Sequence, residues 1–241
     1  MQRSARPELQ NKEYQMAKQE LYERSPIRAF DAATEGGLKA GEIGIVTSKK
    51  GLGKTSVLVQ FGMDTLLNGK QLVHVSFDQH SENVISWYEG IFTEIGKKKS
   101  LANADEVKAE IMRNRTILNF NQENFNLSKV VNTLDALKAG GIAVAGVVID
   151  GVDLSKVSAD DMKAVEKYAK SAKVAVWMSA TAEGDKLDDS VPKALQEFFT
   201  IVLHLSASGS SVEVLVVKLH DKKNLGATLK LDSKTLLMIE K

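Results

Sequence analysis

The sequence predicts an α/β fold: a mostly parallel sheet flanked by helices on both faces and finished by antiparallel strands. Three observations predict it. The runs Ile43–Thr47 (IGIVT), Val147–Asp150 (VVID) and Val174–Met178 (VAVWM) show no polar alternation, the pattern of strands buried on both faces. Between them lie stretches with apolar residues at helical spacing, as a parallel sheet with crossover helices requires. After Phe199, four strand-like runs follow one another with only turns between them. A parallel crossover needs roughly a dozen residues, so these strands must pair antiparallel.

The elements follow in order. Pro7–Glu23 carries Leu9, Tyr14, Ala17 and Leu21 at helical spacing, a thin apolar stripe that suits either a fraying terminal helix or a docking arm for another subunit. Ser25-Pro26 ends it, because the residue before a proline is pushed out of the helical region. Turn signals at Gly36-Gly37 and Gly41 precede the strand Ile43–Thr47. Lys54–Leu67 is a helix with Val57, Leu58, Phe61 and Thr65 on one face and Gly69 as its stop signal. Leu72–Phe77 reads as a strand and Glu82–Ile95 as a helix; Asn103, with Glu106 three residues on, caps a further helix to Asn114. Thr116–Phe120 is a strand, Leu127–Ala139 a helix ending at Gly140-Gly141, and Ala159–Ser171 a helix between the VVID and VAVWM strands. The closing strands are Phe199–Leu205, Ser211–Leu219, Thr228–Leu231 and Thr235–Ile239.

Composition narrows the function. At ~150 residues per domain, 241 residues make between one and two domains. Lys and Arg total 32 against 31 Asp and Glu, so the chain as a whole is no polyelectrolyte binder of nucleic acid or anionic membrane. The 43% of hydrophobic residues is ample for one sizeable core. The absence of cysteine excludes disulfides, thiol catalysis and Cys-based metal sites. Met1–Ser25 lacks the apolar core of a signal peptide, and no run approaches ~18 uninterrupted apolar residues. The expectation is a soluble cytoplasmic protein with no membrane partner.

The most informative residues are Ser48, Lys49, Lys50, Gly51, Leu52, Gly53, Lys54, Thr55 and Ser56, between the IGIVT strand and the helix after it. This is the setting of a P-loop, G-x-x-x-x-G-K-[ST]. Gly51 and Gly53 let the backbone curl so that successive N–H groups face an anion, and the helix N-terminus adds free N–H groups and partial positive charge. Lys54 is placed to reach β and γ phosphates, and the Thr55 hydroxyl to ligate Mg²⁺. Ser48 stands where the motif has its first glycine. VVID has the form of a Walker B strand, delivering Asp150 to the sheet edge where ligands bind, opposite Thr55 as a second Mg²⁺ holder. Read alone, an Asp at a strand end could equally cap the next turn.

Together with these motifs, Gly36-Gly37-Leu38, Gly41-Glu42-Ile43, Ser76-Phe77-Asp78-Gln79 and Lys218-Leu219-His220 with Gly226 and Leu231 make residues 26–241 resemble the RecA-like ATPases, in the branch of KaiC, RadA and DnaB-type helicases. The resemblance implies a RecA-like ATPase domain over 26–241 preceded by an N-terminal helical arm over 1–25, with ATP and Mg²⁺ as cofactors. It places the water-activating carboxylate on Asp78, where the family carries Glu. Gln79 stands where KaiC-like proteins often have a second Glu, so slow hydrolysis is expected. It also implies that Lys218 and His220 reach across a subunit boundary to a neighbour's γ phosphate, His220 replacing an arginine. The expected assembly is a homo-oligomer, a hexameric ring or a filament. Ser179 or Thr181 is a further candidate phosphate sensor.

In such relatives the loops after the Asp150 and VAVWM strands touch DNA. Here they are acidic: Asp153, Asp160 and Asp161 against Lys156, then Glu183, Asp185, Asp188 and Asp189 against Lys186. Phosphate contacts need Lys or Arg, and neither loop offers an aromatic for stacking. The favoured reading is therefore a KaiC-like ATPase in a regulatory or assembly role. A DNA-dependent motor and a nucleotide-binding scaffold that does not hydrolyse remain as alternatives, and the protein partner is unknown. His74, His80, His204 and His220 show no metal-ligand spacing. His74 and His204 read as sheet residues with local hydrogen bonds, and Trp87 and Trp177 as core.

Overall fold

The structure, a computed structural model, describes residues 15–77, 79–97 and 104–240. Residues 15–23 form helix α1, and Ile27–Ala33 a short helix α2. Then come β1 (Ile43–Ser48), α3 (Lys54–Leu67), β2 (Gln71–Ser76), α4 (Ser81–Gly96), α5 (Ala104–Arg113), β3 (Arg115–Asn119), α6 (Leu127–Ala139) and β4 (Val144–Val152). The chain continues with α7 (Ala159–Ala172), β5 (Ala175–Thr181), the single turn α8 (Leu187–Ser190), β6 (Ile201–Ser208), β7 (Ser211–Leu219), β8 (Lys222–Leu231) and β9 (Met238–Glu240). Asn103 and the part of the first helix before residue 15 lie outside the described residues.

One nine-stranded sheet runs β3-β2-β4-β5-β1-β6-β7-β8-β9. The pairs from β3 to β6 are parallel and those from β6 to β9 antiparallel. The fold is thus RecA-like α/β with an antiparallel ending. Every residue of β1 is buried, which is why its sequence carries no alternation.

Two apolar layers sandwich the sheet. One unites α1 to α5 with Val46, Val148 and Trp177 of the sheet and Val214, Val216 and Leu231 of the antiparallel strands. The other unites α6 and α7 with Ile45, Val75, Ile149 and Met178. Ala17 and Leu21 of α1 belong to the first layer, so the described part of that helix spends its apolar stripe within its own chain. Trp177 stacks on Phe61 of α3 at 4.0 Å between ring centroids, and Phe30 of α2 meets it edge-on. Trp177 is core as expected; Trp87 is only half-buried against it.

Three differences from the expected elements have local causes. β8 begins at Lys222 rather than Thr228, because residues of strongly polar character are drawn into pairing by β7: Lys222 lies opposite Leu219 and Lys223 opposite Lys218. Conversely, the last strand is only Met238–Glu240. The Asp232 carboxylate accepts from the Lys234 and Thr235 N–H groups and the Thr235 hydroxyl, making residues 232–236 a turn. Finally, no periodicity announces α2; it carries no side-chain cap and is fixed by the burial of Ile27 and Phe30.

The chain leaves β1 for α3 on one face and β4 for α7 on the other. Departures to opposite faces open a crevice at the carboxyl ends of the strands.

Candidate nucleotide site

The loop from Ser48 to Gly53 occupies that crevice. Gly51 has φ +87° and Gly53 φ +100°, left-handed values that favour glycine. A Cβ at Gly51 would meet nothing within 4 Å, so glycine is needed there for backbone conformation and not for space. Gly53 is the N-cap of α3 with no side-chain cap bond, leaving the first N–H groups of the helix to an anion. Lys54 folds back over the loop. Its Nζ donates to the Ser48 carbonyl at 3.2 Å, the Ser48 hydroxyl at 3.3 Å and the Lys49 carbonyl at 3.2 Å. Ser48, at the position of the missing glycine, thus orients the lysine. Lys49 and Lys50 are exposed, and Leu52 packs against the first apolar layer. The Ser56 hydroxyl donates to the Leu236 carbonyl at 3.1 Å, so that side chain serves the C-terminal turn rather than the loop.

Thr55 meets Asp150 directly: its hydroxyl donates to Oδ2 at 2.8 Å. The other carboxylate oxygen, Oδ1, accepts from the Ser179 hydroxyl. Asp150 is only 3% exposed. Burial pushes its carboxyl up from the ordinary value, and the Ser179 and Thr55 hydroxyls with the Lys54 charge act against that. On the β2 side, Gln79 Nε2 donates to the Thr55 hydroxyl oxygen at 2.9 Å. Its backbone is fixed by the Ser76 hydroxyl, which accepts its N–H at 3.0 Å, and by Asn119, which donates to its carbonyl.

The family model for the KaiC ATPase matches residues 24–181, a span that includes the loop, Thr55 and Asp150. The chain belongs to the KaiC ATPase family. Among solved structures, the ATPase domain of a DnaB-family helicase matches with a TM-score of 0.65 and 14% identity, covering 90% of each chain, and shows the same fold. No curated protein matches the chain. It is therefore a RecA-fold ATP-binding protein of the KaiC and DnaB type.

The KaiC-family site fits a magnesium nucleotide. Its donors are a hydroxyl and a carboxylate, hard oxygens of the kind Mg²⁺ takes alongside substrate phosphates. Among the described residues no group of three His, Asp or Glu could hold a metal, and this site needs none, because the phosphates supply the remaining oxygens.

Asp78 lies outside the described residues. Lys218 does not project from the sheet: its Nζ donates to the Gln196 carbonyl at 2.7 Å and the Phe199 carbonyl at 2.6 Å. Burial lowers its pKa, with Lys223 adding to the effect. His220 stands exposed in the β7–β8 turn with φ +52°. Lys218 pairs with Val202, and Val202 with Ile45, whereas the loop begins at Ser48. At about 3.3 Å per residue, Lys218 lies about 10 Å down the sheet from the loop and His220 further still, so neither can serve its own chain's phosphates.

His74 is fully buried; its Nδ1 lies 3.0 Å from the Tyr88 hydroxyl, and its Nε2 has no partner. His204 Nδ1 lies 3.0 Å from the Thr47 hydroxyl. Since that hydroxyl gives its proton to the Leu203 carbonyl, Nδ1 must be the donor. The acidic loops spend part of their charge locally. Asp153 caps the turn at Ser155 and pairs with Lys156, while Asp161 completes a capping box with Ser158.

Sequence reasoning found Thr55 and Asp150 but missed the Gln79–Thr55 bond and the commitment of Ser179 to Asp150. Of the two candidate sensors, Thr181 lines a cavity of about 350 Å³ with Lys54, Gln122 and Asp153. The Ser179 hydroxyl is already engaged.

Proposed function

We propose that the chain is a slow, Mg²⁺-dependent ATPase working at the boundary between copies of itself, in a KaiC-like regulatory or assembly role. The observation that carries this reading is the Thr55–Asp150 pair at the mouth of a glycine loop already threaded by Lys54. The loop N–H groups and the α3 N-terminus bind the phosphates, and Lys54 exchanges its loop carbonyls for phosphate oxygens. Thr55 and Asp150 hold the cation, whose charge draws electron density from the β and γ oxygens. Asp78 orients the attacking water. The neighbouring Gln79 can align a water but cannot take its proton, and Asp78 is one methylene shorter than the family's Glu.

Lys218 is expected to act on a neighbouring copy, which it can do only by releasing the Gln196 and Phe199 carbonyls. His220, without a permanent charge, stabilises a γ phosphate less than arginine would. These features favour slow turnover. They also support, as a second reading, a nucleotide-holding scaffold with no turnover.

The test is steady-state ATP turnover with and without single-stranded DNA, with light scattering in the same buffers. Low, Mg²⁺-dependent turnover that DNA does not raise, together with ATP-promoted assembly, is the expected result. Stimulation by DNA would instead make the chain a nucleic-acid motor. Tight ATP binding with background turnover would select the scaffold. A monomer with and without ATP–Mg²⁺ would remove the inter-copy part of the reading.

A further inference from the structure

Asp150 and Gly151 of β4 together stand opposite a single residue of β5. The pairing runs Ile149 with Met178 and then Val152 with Ala180, so Ser179 alone faces both. Two residues against one is a β-bulge, a device that re-aims a side chain beside a site. Gly151 supplies the positive φ of +81° at the bulge. The Ser179 hydroxyl oxygen accepts the Gly151 N–H at 3.0 Å, and the same hydroxyl gives its one proton to Asp150 Oδ1. Oδ2 accepts from Thr55 at 2.8 Å. With Asp150 only 3% exposed and Ser179 fully buried, protein groups rather than bulk water decide which way the carboxylate faces.

We propose that Ser179 is the positioning residue for the divalent cation: by holding the bulge and Oδ1 at once, it fixes the plane of the Asp150 carboxylate so that Oδ2 stays beside the Thr55 hydroxyl. This rests on the nucleotide reading above and adds to it a residue that neither the P-loop nor the Walker B pattern contains. Ser179 touches the cation only through Asp150, and outer-shell partners of this kind tune metal affinity. A carboxylate held at one oxygen alone would swing about its last bond and lose register with Thr55.

The test is a Mg²⁺ titration of fluorescent-ATP binding to the full chain as wild type, Ser179→Ala and Ser179→Thr. Ser179→Ala is expected to raise the half-saturating Mg²⁺ concentration about tenfold, while affinity in EDTA stays within about twofold of wild type. Ser179→Thr keeps the hydroxyl and is expected to return the midpoint toward wild type. An unchanged midpoint in Ser179→Ala overturns the proposal. So does an equal loss with and without Mg²⁺, or a Ser179→Thr chain as impaired as Ser179→Ala. A Mg²⁺-responsive wild type with an unshifted variant sinks only the role of Ser179. A wild type that takes up no nucleotide in either buffer sinks the nucleotide reading and this role with it.

Discussion

Replacing Lys54 by alanine is the sharpest perturbation of the loop. Its ammonium holds three oxygens of Ser48 and Lys49 at 3.2–3.3 Å, all longer than the ~2.7–2.9 Å of a good charge-assisted bond. A triphosphate therefore offers it better acceptors than its own loop does. Charged hydrogen bonds contribute about 1.5–3 kcal/mol each. Two of them to β and γ oxygens, less the long loop contacts given up, leave about 3 kcal/mol, or roughly 150-fold in Kd. Isothermal titration of Lys54→Ala with ATP–Mg²⁺ reads this directly. AMP, which has neither β nor γ phosphate, serves as the control and is expected to bind the variant and wild type alike. If the folded variant binds ATP–Mg²⁺ within about threefold of wild type, Lys54 does not reach the phosphates and the loop reasoning fails.

Three further outcomes follow from the packing and the titratable groups. Gly44→Ala would set a Cβ 2.5 Å from Trp177 Cζ3, and Trp177 cannot retreat because Phe61 stacks against it; urea unfolding is expected to show a loss of about 1–3 kcal/mol. Burial, with the Arg115 charge adding to it, lowers the His74 pKa to about 3, so between the unfolded value of 6.5 and that figure the unfolded chain binds a proton that the native one refuses. Stability should therefore fall as pH drops below 6.5, by about 2 kcal/mol at pH ~5, and a His74→Phe chain should show a shallower dependence in the same denaturant series. Ser158→Ala removes the acceptor of the Asp161 N–H at 3.1 Å and is expected to cost about 1 kcal/mol by thermal melting, with ATP affinity unchanged.

What the sequence disclosed was whatever a short window can hold. The α3 bounds, the buried β1 run and the glycine loop are contiguous patterns, and each appears where local chemistry placed it. The N-terminal half of β8 was illegible because Lys222, Lys223 and Gly226 favour a loop on their own, and only the long partner strand β7 recruits them. In the site, Thr55 and Asp150 were legible because each closes a motif. Ser179 was not, since a lone serine at a strand end has no signature. The glycine directly after Asp150 was the available clue, because glycine within a strand often marks a bulge. The inward fold of Lys218 onto Gln196 and Phe199 depends on a 3₁₀ turn over Lys193–Phe198 that no periodicity announced.

The Thr55–Asp150 contact spans 95 residues of chain, and Ser179 closes on Asp150 from 29 residues further on. Contacts so distant form only after the intervening loops have been closed, so they come late in folding. During synthesis the phosphate-binding segment emerges well before the acid that completes it, and that acid before the hydroxyl that steadies it. Nucleotide uptake by a nascent chain should therefore wait for β5. From then on, each bound triphosphate favours the completed sheet over partly folded chains by mass action.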